Sequence, residues 1–408
     1  MPIVTQILSG LPELTLWQRR FFLHLFGLWP CISGRFNVLN LSRYSPFCRR
    51  TFARHFARAF PWGTFNAALV QQAVPVSHEL MLAQDASFIA KSGKATPGLG
   101  RFYNGITQRV ERGLELSLLA VIDLTQNTAY ALHARPTINQ AEAEAEAGCK
   151  DKDLRHLQAT KAHWPVGIKY LAVDGAYARQ EFVDGATREG LSVVSRLRCD
   201  ANVRYLYHGP QKKRGRRKQY DGKVVWREAD LSRWHDEGEL EAGVHLYSAT
   251  LNHLSLKRNL KVALLVVPAK TPAKEAKEAK EAKDRHVLLF STDLELSGRE
   301  MVRLYRARFQ IEFLFRDAKS GAGLTHCQSR NTTALENHWN AAFAALNLAR
   351  IATQPRTQPM PFSWASRCQK QRNLHLLERF SSTLDLDWNC IKSHPNFHSL
   401  LNYGVIAP

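Results

Sequence analysis

"IKYLAVDGAYARQEFVDGATREGLSVVSRLR" (residues 168–198) sets the fold class. "IKYLAVD" is a near-continuous apolar run of strand length, as expected of a strand covered on both faces. Residues of about 178–189 then read as a helix, and "LSVVSRLR" as another strand. Upstream, "ELMLAQD" (79–85) reads as a strand followed by a loop, and "LELSLLAVIDL" and "TAYALHA" form a hairpin about the turn "TQN". An alanine- and charge-rich helix, about 139–162, joins that hairpin to "IKYLAVD". Three strands, helix, strand, helix, strand predicts an α/β core built on a mixed sheet.

The flanking segments differ in character. Residues 11–28 read as a helix with Pro12 near its start, and "FNVLNLSRY" as a short second one. A third has Ser45 as N-cap and Pro46 at its first position. On it Cys48, Phe52, Phe56 and Ala59 share one face, while Arg50, Arg54 and Arg58 recur on the other. A helix-turn-helix reading helix has that form, as does an ordinary amphipathic helix with a solvated basic face. The expected organisation is a helical DNA-binding domain (1–78), a core in two parts (79–199 and 291–352), a strand-rich insertion (200–290) between them, and a C-terminal helical region (353–408). Within the insertion, "PAKTPAKEAKEAKEAKD" (268–284) has period three, which suits a solvated helix or linker rather than a packed element.

Charge narrows the partner. The 408-residue chain carries a net charge of +20 at an ordinary 45% hydrophobic content. Residues 14–78 contain eight arginines and no acid, and "KKRGRRK" (212–218) packs six cations into seven residues. Two basic surfaces fit a long polyanion, because neutralised phosphates release counterions. Seven scattered cysteines without a C-x-x-C pair argue against a disulfide framework or structural zinc. The apolar runs are too short for a bilayer and the N-terminus lacks signal-peptide order, so a cytoplasmic protein is expected, with no membrane contact.

The chemistry rests on carboxylates. "QDASFIAKSGKATPGLG" (84–100) fails as a phosphate-cradling P-loop: Ala95 follows Gly93-Lys94, and Phe88 stands where a glycine is needed. What remains is Asp85 after one strand, matched by Asp174 after another; strand ends are where α/β sites open. A third acid comes from "YRARFQIEFLFRDAK", on a helix expected to start at the Ser297–Glu300 capping box. There Tyr305, Arg308, Glu312 and Lys319 share one broad stripe. Two Mg²⁺ ions bound by such acids, with Mn²⁺ as a substitute, would suit phosphodiester chemistry. Asp123, Asp184, Asp200 and Asp317 are expected to be structural, Asp123 capping its turn.

With these residues the sequence resembles the DDE transposases of bacterial insertion sequences, in the group whose third acid lies in a Y-x2-R-x3-E-x6-K motif. Tyr305, Arg308, Glu312 and Lys319 match each position, and "QDASFIAKSGKATPGLG" and "AVDGAYA" (172–178) resemble the segments of the first and second aspartates. The resemblance spans about residues 80–350. It implies an RNase H-like core, metal ligation by Asp85, Asp174 and Glu312, and binding of terminal phosphates by Tyr305, Arg308 and Lys319. It further implies cleavage and strand transfer on the element's inverted terminal repeats and target DNA, within a homodimeric complex. Further DNA contacts are expected from Lys91 and Lys94 in a basic loop and from Lys212, Lys213, Arg214, Arg216 and Arg217. Some relatives cut the second strand through a DNA hairpin, with a tryptophan of the insertion stacked on a flipped base. Trp226 or Trp234 would fill that place, unless each is simply packed in its strand. The competing readings are a catalytically silent DNA-binding protein and a nuclease that only hydrolyses. A glycosidase with paired carboxylates fits poorly beside two basic blocks.

Overall fold

The computed structural model describes residues 2–137, 151–226, 229–267, 285–353 and 362–406. The period-three run and most of the expected 139–162 helix lie outside these residues; the helix Lys152–Ala159 is its described part.

Twelve strands form one sheet among the described residues. They are β1 (Leu80–Ala90), β2 (Gly100–Asn104), β3 (Arg109–Asp123), β4 (Thr128–Pro136), β5 (Tyr170–Val173), β6 (Ser192–Leu197), β7 (Val203–Leu206), β8 (Tyr220–Lys223), β9 (His235–Glu241), β10 (Val244–His253), β11 (Arg258–Val267) and β12 (Arg285–Ser291). The central order is β4-β3-β1-β5-β6. Strands β1, β5 and β6 run parallel, while β3 is antiparallel to β1 and β4 to β3. The fold is thus mixed α/β, as the order of patterns predicts. Beyond β6 the sheet continues through β12, β11, β10, β7 and β8, with β9 on β10. Those later pairings are all antiparallel.

Burial follows the alternation of β3. Leu114, Leu116, Leu118, Ala120 and Ile122 join a core shared with the N-terminal helices and the helix Thr332–Thr353. Leu119 and Val121 face the opposite core, with Phe182 and Val183 of the helix Gln180–Arg188. One-residue steps send neighbours to opposite faces, so both faces of the sheet are covered.

Several local expectations need correction. The first long helix begins at Leu16, where Thr15 and Gln18 form a capping box, and a separate helix, Pro2–Ser9, precedes it. The arginine-bearing helix is Arg49–Phe56 with Cys48, not Ser45, at its N-cap. Ser45 instead accepts a hydrogen bond from the Phe47 amide and contacts His24 at 2.8 Å. Strand β2 was not expected: "GRFYN" is short and shows no apolar alternation.

The outer edge of β4 is finished by side chains. Asn347 accepts from the Ala131 amide (2.9 Å) and donates to the Ala131 carbonyl (2.8 Å). Asn340 does the same for Ala134, at 2.9 and 2.6 Å. Asn66 donates to the Leu132 carbonyl and Arg350 to that of Ala129. All four are buried, so backbone groups that an edge strand leaves open are paired within the chain.

Candidate active site

The parallel pairing of β1 with β5 matches Gln84 with Val173. One residue further on each strand stand Asp85 and Asp174, which brings the two aspartates side by side. Asp174 directly follows β5 and is exposed at the start of the turn Gly175–Tyr177. Asp85, by contrast, is not at a strand end. It lies inside β1 opposite Leu118, because β1 runs on to Ala90 as the partner of the long β3.

The third acid arrives on a helix that is not continuous. Gly298–Ala307 and Gln310–Ser320 are separate, joined through Arg308 and Phe309. Three i→i−3 bonds tighten the joint: the amides of Phe309, Ile311 and Glu312 donate to the carbonyls of Arg306, Arg308 and Phe309. The tight joint holds the buried Arg308 guanidinium between the acids. Its Nη2 donates to Glu312 Oε1 at 3.0 Å, and its Nη1 lies 3.7 Å from Asp85 Oδ2. The Tyr305 ring stacks near the same guanidinium at 5.4 Å. Burial raises the Tyr305 hydroxyl, so it stays protonated.

Asp85 is held up to about 6, chiefly by burial, with Asp174 and Glu312 adding repulsion and Arg308 and the Ala86 amide opposing it. One arginine among three acids leaves the site short of positive charge. Three oxygen donors with that deficit fit hard divalent cations. Among the described residues, however, no three His, Cys, Asp or Glu side chains are gathered closely enough to hold an ion as they stand. Arg308 occupies the space between Asp85 and Glu312.

A pH dependence follows from Asp85. Its folded value lies above the ordinary 3.8, so the folded state binds the proton more tightly and stability falls as pH rises from about 4 to 6. In EDTA, Asp85→Asn is expected to be more stable than wild type at pH 7 by on the order of 2–3 kcal/mol, the gap closing near pH 4. Urea midpoints at the two pH values measure it, and an equal gap at both would remove the assignment.

The remaining expected contacts divide. Lys319 Nζ donates to the Phe88 carbonyl of β1 at 3.1 Å, and burial lowers its ammonium despite Asp85 nearby. Lys91 is not a free loop cation: it donates to the carbonyls of Cys327 (2.6 Å) and Ser329 (3.3 Å). Lys94 is exposed, as are Arg50, Arg54, Arg58, Lys212, Lys213, Arg214, Arg216 and Arg217. Trp226 and Trp234, the two candidates for stacking on a flipped base, are both packed here. Trp226 is 7% exposed and packs edge-on against the equally buried Trp234, with centroids 6.2 Å apart. Neither lies within a strand: Trp226 follows β8 and Trp234 directly precedes β9.

Of the competing acids, Asp123 caps its turn through the Thr125 and Gln126 amides and contacts His78 at 2.7 Å. Asp200 pairs with Arg198 and Asp317 with Arg350 and Arg316, while Asp184 lies 3.7 Å from Arg258. A clamp around the aspartates was missed. Arg179 donates to both carboxylate oxygens of Asp151, to Asp153 and to the Ala176 carbonyl. Gln84, next to Asp85, donates to the Asp153 carbonyl at 2.9 Å. The clamp therefore ties β1 to the turn that carries Asp174. Its only sequence signal is an arginine five residues after Asp174.

The mixed sheet thus presents two aspartates at neighbouring positions of adjacent parallel strands, faced by the Arg308–Glu312 pair. The chain belongs to the family described as "Transposase DDE domain", whose sequence model matches residues 112–348, more than half its length. Asp174 and Glu312 fall inside that span and Asp85 before it. Comparison with curated proteins found no match. Among solved structures, the chain is similar to the cryo-EM structure of the piggyBac transposase synaptic complex with hairpin DNA. The TM-score is 0.42 at 12% identity, over 100% of this chain and 82% of that one. Among the described residues no helix is long and apolar enough to cross a membrane.

Proposed function

We propose that this transposase has an RNase H-like core, binds the terminal inverted repeats of an insertion sequence, and cuts and joins DNA at Asp85, Asp174 and Glu312. The observation that carries the reading is the convergence of these three acids about Arg308. Asp85, Asp174 and Glu312 would hold two Mg²⁺, which when bound supply charge relief at the phosphate and a more acidic water. The chain's own residues do the rest. Arg308 tempers carboxylate repulsion and faces the place of the scissile phosphate, with Tyr305 fixing its plane. Lys319 keeps β1 in position through Phe88 and reaches a terminal phosphate by exchanging that bond. Cleavage by water frees a 3′-hydroxyl, and joining exchanges one phosphodiester for another with no covalent enzyme–DNA step. The exposed arginines at 50, 54 and 58 and the cations at 212–217 hold duplex DNA, and the paired ends are bound by a homodimer.

The test is linear DNA carrying the element's ends, incubated with the protein with and without Mg²⁺ and resolved on a denaturing gel. Metal-dependent cuts at the ends followed by joining to target support the proposal. Cuts without joining indicate a nuclease, and binding without cuts a silent DNA-binding protein.

A further inference from the structure

Strands β2 and β3 extend past the end of β1 as a two-stranded ribbon, residues 100–113. Its cross-strand pairs put Arg101 opposite Arg112 and Tyr103 opposite Val110. Paired residues share a face, and this face is exposed throughout: both arginines, Tyr103 and Val110. Neither arginine forms a hydrogen bond or ion pair among the described residues. Like charges directly opposite one another on a ribbon are destabilising, so the fold retains a repulsive pair with nothing of its own to quench it. The other face is compensated: Phe102 lies opposite Glu111, Glu111 accepts from Asn104 and Thr107, and Lys152 sits over the Phe102 ring.

Register ties the repulsive face to the candidate site. Asp85 is the cross-strand partner of Leu118. Counting back two residues at a time along β3 leads from Leu118 to Arg112, with no register shift in either pairing. Arg112 and Arg101 therefore lie on the Asp85 face, beyond the part that the helices cover. Six residues at about 3.3 Å each place the arginines about 20 Å from Asp85 along the strand. That is the length of roughly six base pairs.

We infer that the 100–113 ribbon is a duplex-DNA contact, in which Arg101 and Arg112 share the phosphates of the strand leading away from the active site, and Tyr103 and Val110 pack on the sugars between them. Phosphate oxygens are the complement of two unpaired guanidiniums, and a two-stranded ribbon is narrow enough to lie along a DNA groove. The inference rests on the transposase reading, which supplies the DNA.

The experiment measures binding of a 40-base-pair duplex of arbitrary sequence by fluorescence anisotropy across a KCl titration. Wild type is compared with Arg101→Gln/Arg112→Gln and with Arg379→Gln/Lys392→Gln, which removes two exposed charges from the C-terminal helices. Loss of two phosphate contacts lowers the slope of log affinity against log salt by about 1.8. That drop is expected in the ribbon variant alone, with a melting temperature equal to or above wild type because the repulsion is gone. An unchanged slope, or an equal drop in both variants, overturns the inference. A lowered melting temperature accompanying the drop also overturns it, since the arginines would then be structural. If wild type itself fails to bind duplex, the transposase reading falls first and the ribbon with it.

Discussion

Asp174→Asn is expected to lower metal-dependent cleavage of the element's ends by about 10³-fold or more, the scale on which one lost electrostatic contact to a reacting phosphate or carbonyl is felt. Asp174 suits this test because its carboxylate makes no hydrogen bond or ion pair among the described residues, and Asn keeps its shape. The turn behind it is held by backbone and by Arg179: Ser195 donates to the Asp174 carbonyl, and Arg179 to that of Ala176. Folding should be untouched, so the loss reads chemistry alone. Glu312→Gln makes a useful companion. It retains an acceptor for Arg308 while removing the charge, and is expected to fall by a similar factor. Single-turnover cleavage on a denaturing gel, with circular dichroism melts alongside, measures both. An Asp174→Asn protein that cuts at the wild-type rate sinks the assignment of the site.

The second large effect is on stability. Asn347→Leu should destabilise the fold by about 3–5 kcal/mol, although Leu has the same number of side-chain heavy atoms as Asn and suits an apolar helix. The substitution strands the Ala131 backbone amide and carbonyl, and the Asn66 side-chain Oδ1 to which Asn347 also donates at 3.3 Å. Each buried group left unpaired costs about 1–3 kcal/mol. Urea unfolding gives the difference, and a loss under 1 kcal/mol would mean that water or a backbone shift replaces Asn347.

Legibility followed the range of the interactions. Strands β3 to β6 could be read directly because burial on both faces writes long apolar runs into the sequence. Asp174 and Glu312 were legible because their positions depend on near neighbours: a strand end for one, helical spacing to Arg308 for the other. The joint at Arg308–Phe309 was not, since no glycine or proline marks it. Nor was the course of β1 past Asp85, because "SFIA" becomes strand only by pairing with residues 113–116. The burial of Trp226 was not legible for a similar reason. Exposure of a tryptophan is decided by what packs on it, here Trp234 and its surroundings. The asparagines of the helix Thr332–Thr353 did leave a trace. Asn337, Asn340 and Asn347 sit in an otherwise apolar run, where buried amides signal a backbone to be met.

Those asparagines also bear on how copies of the chain can associate. A strand border with open amides and carbonyls invites a second molecule to dock its own strand there, and two-fold dimers can form by merging their sheets. Along β4 that route is closed, because a partner strand would have to displace Asn340, Asn347, Asn66 and Arg350 together. A second molecule that adds a strand to this sheet must therefore do so at another border, at β2, β8 or β9.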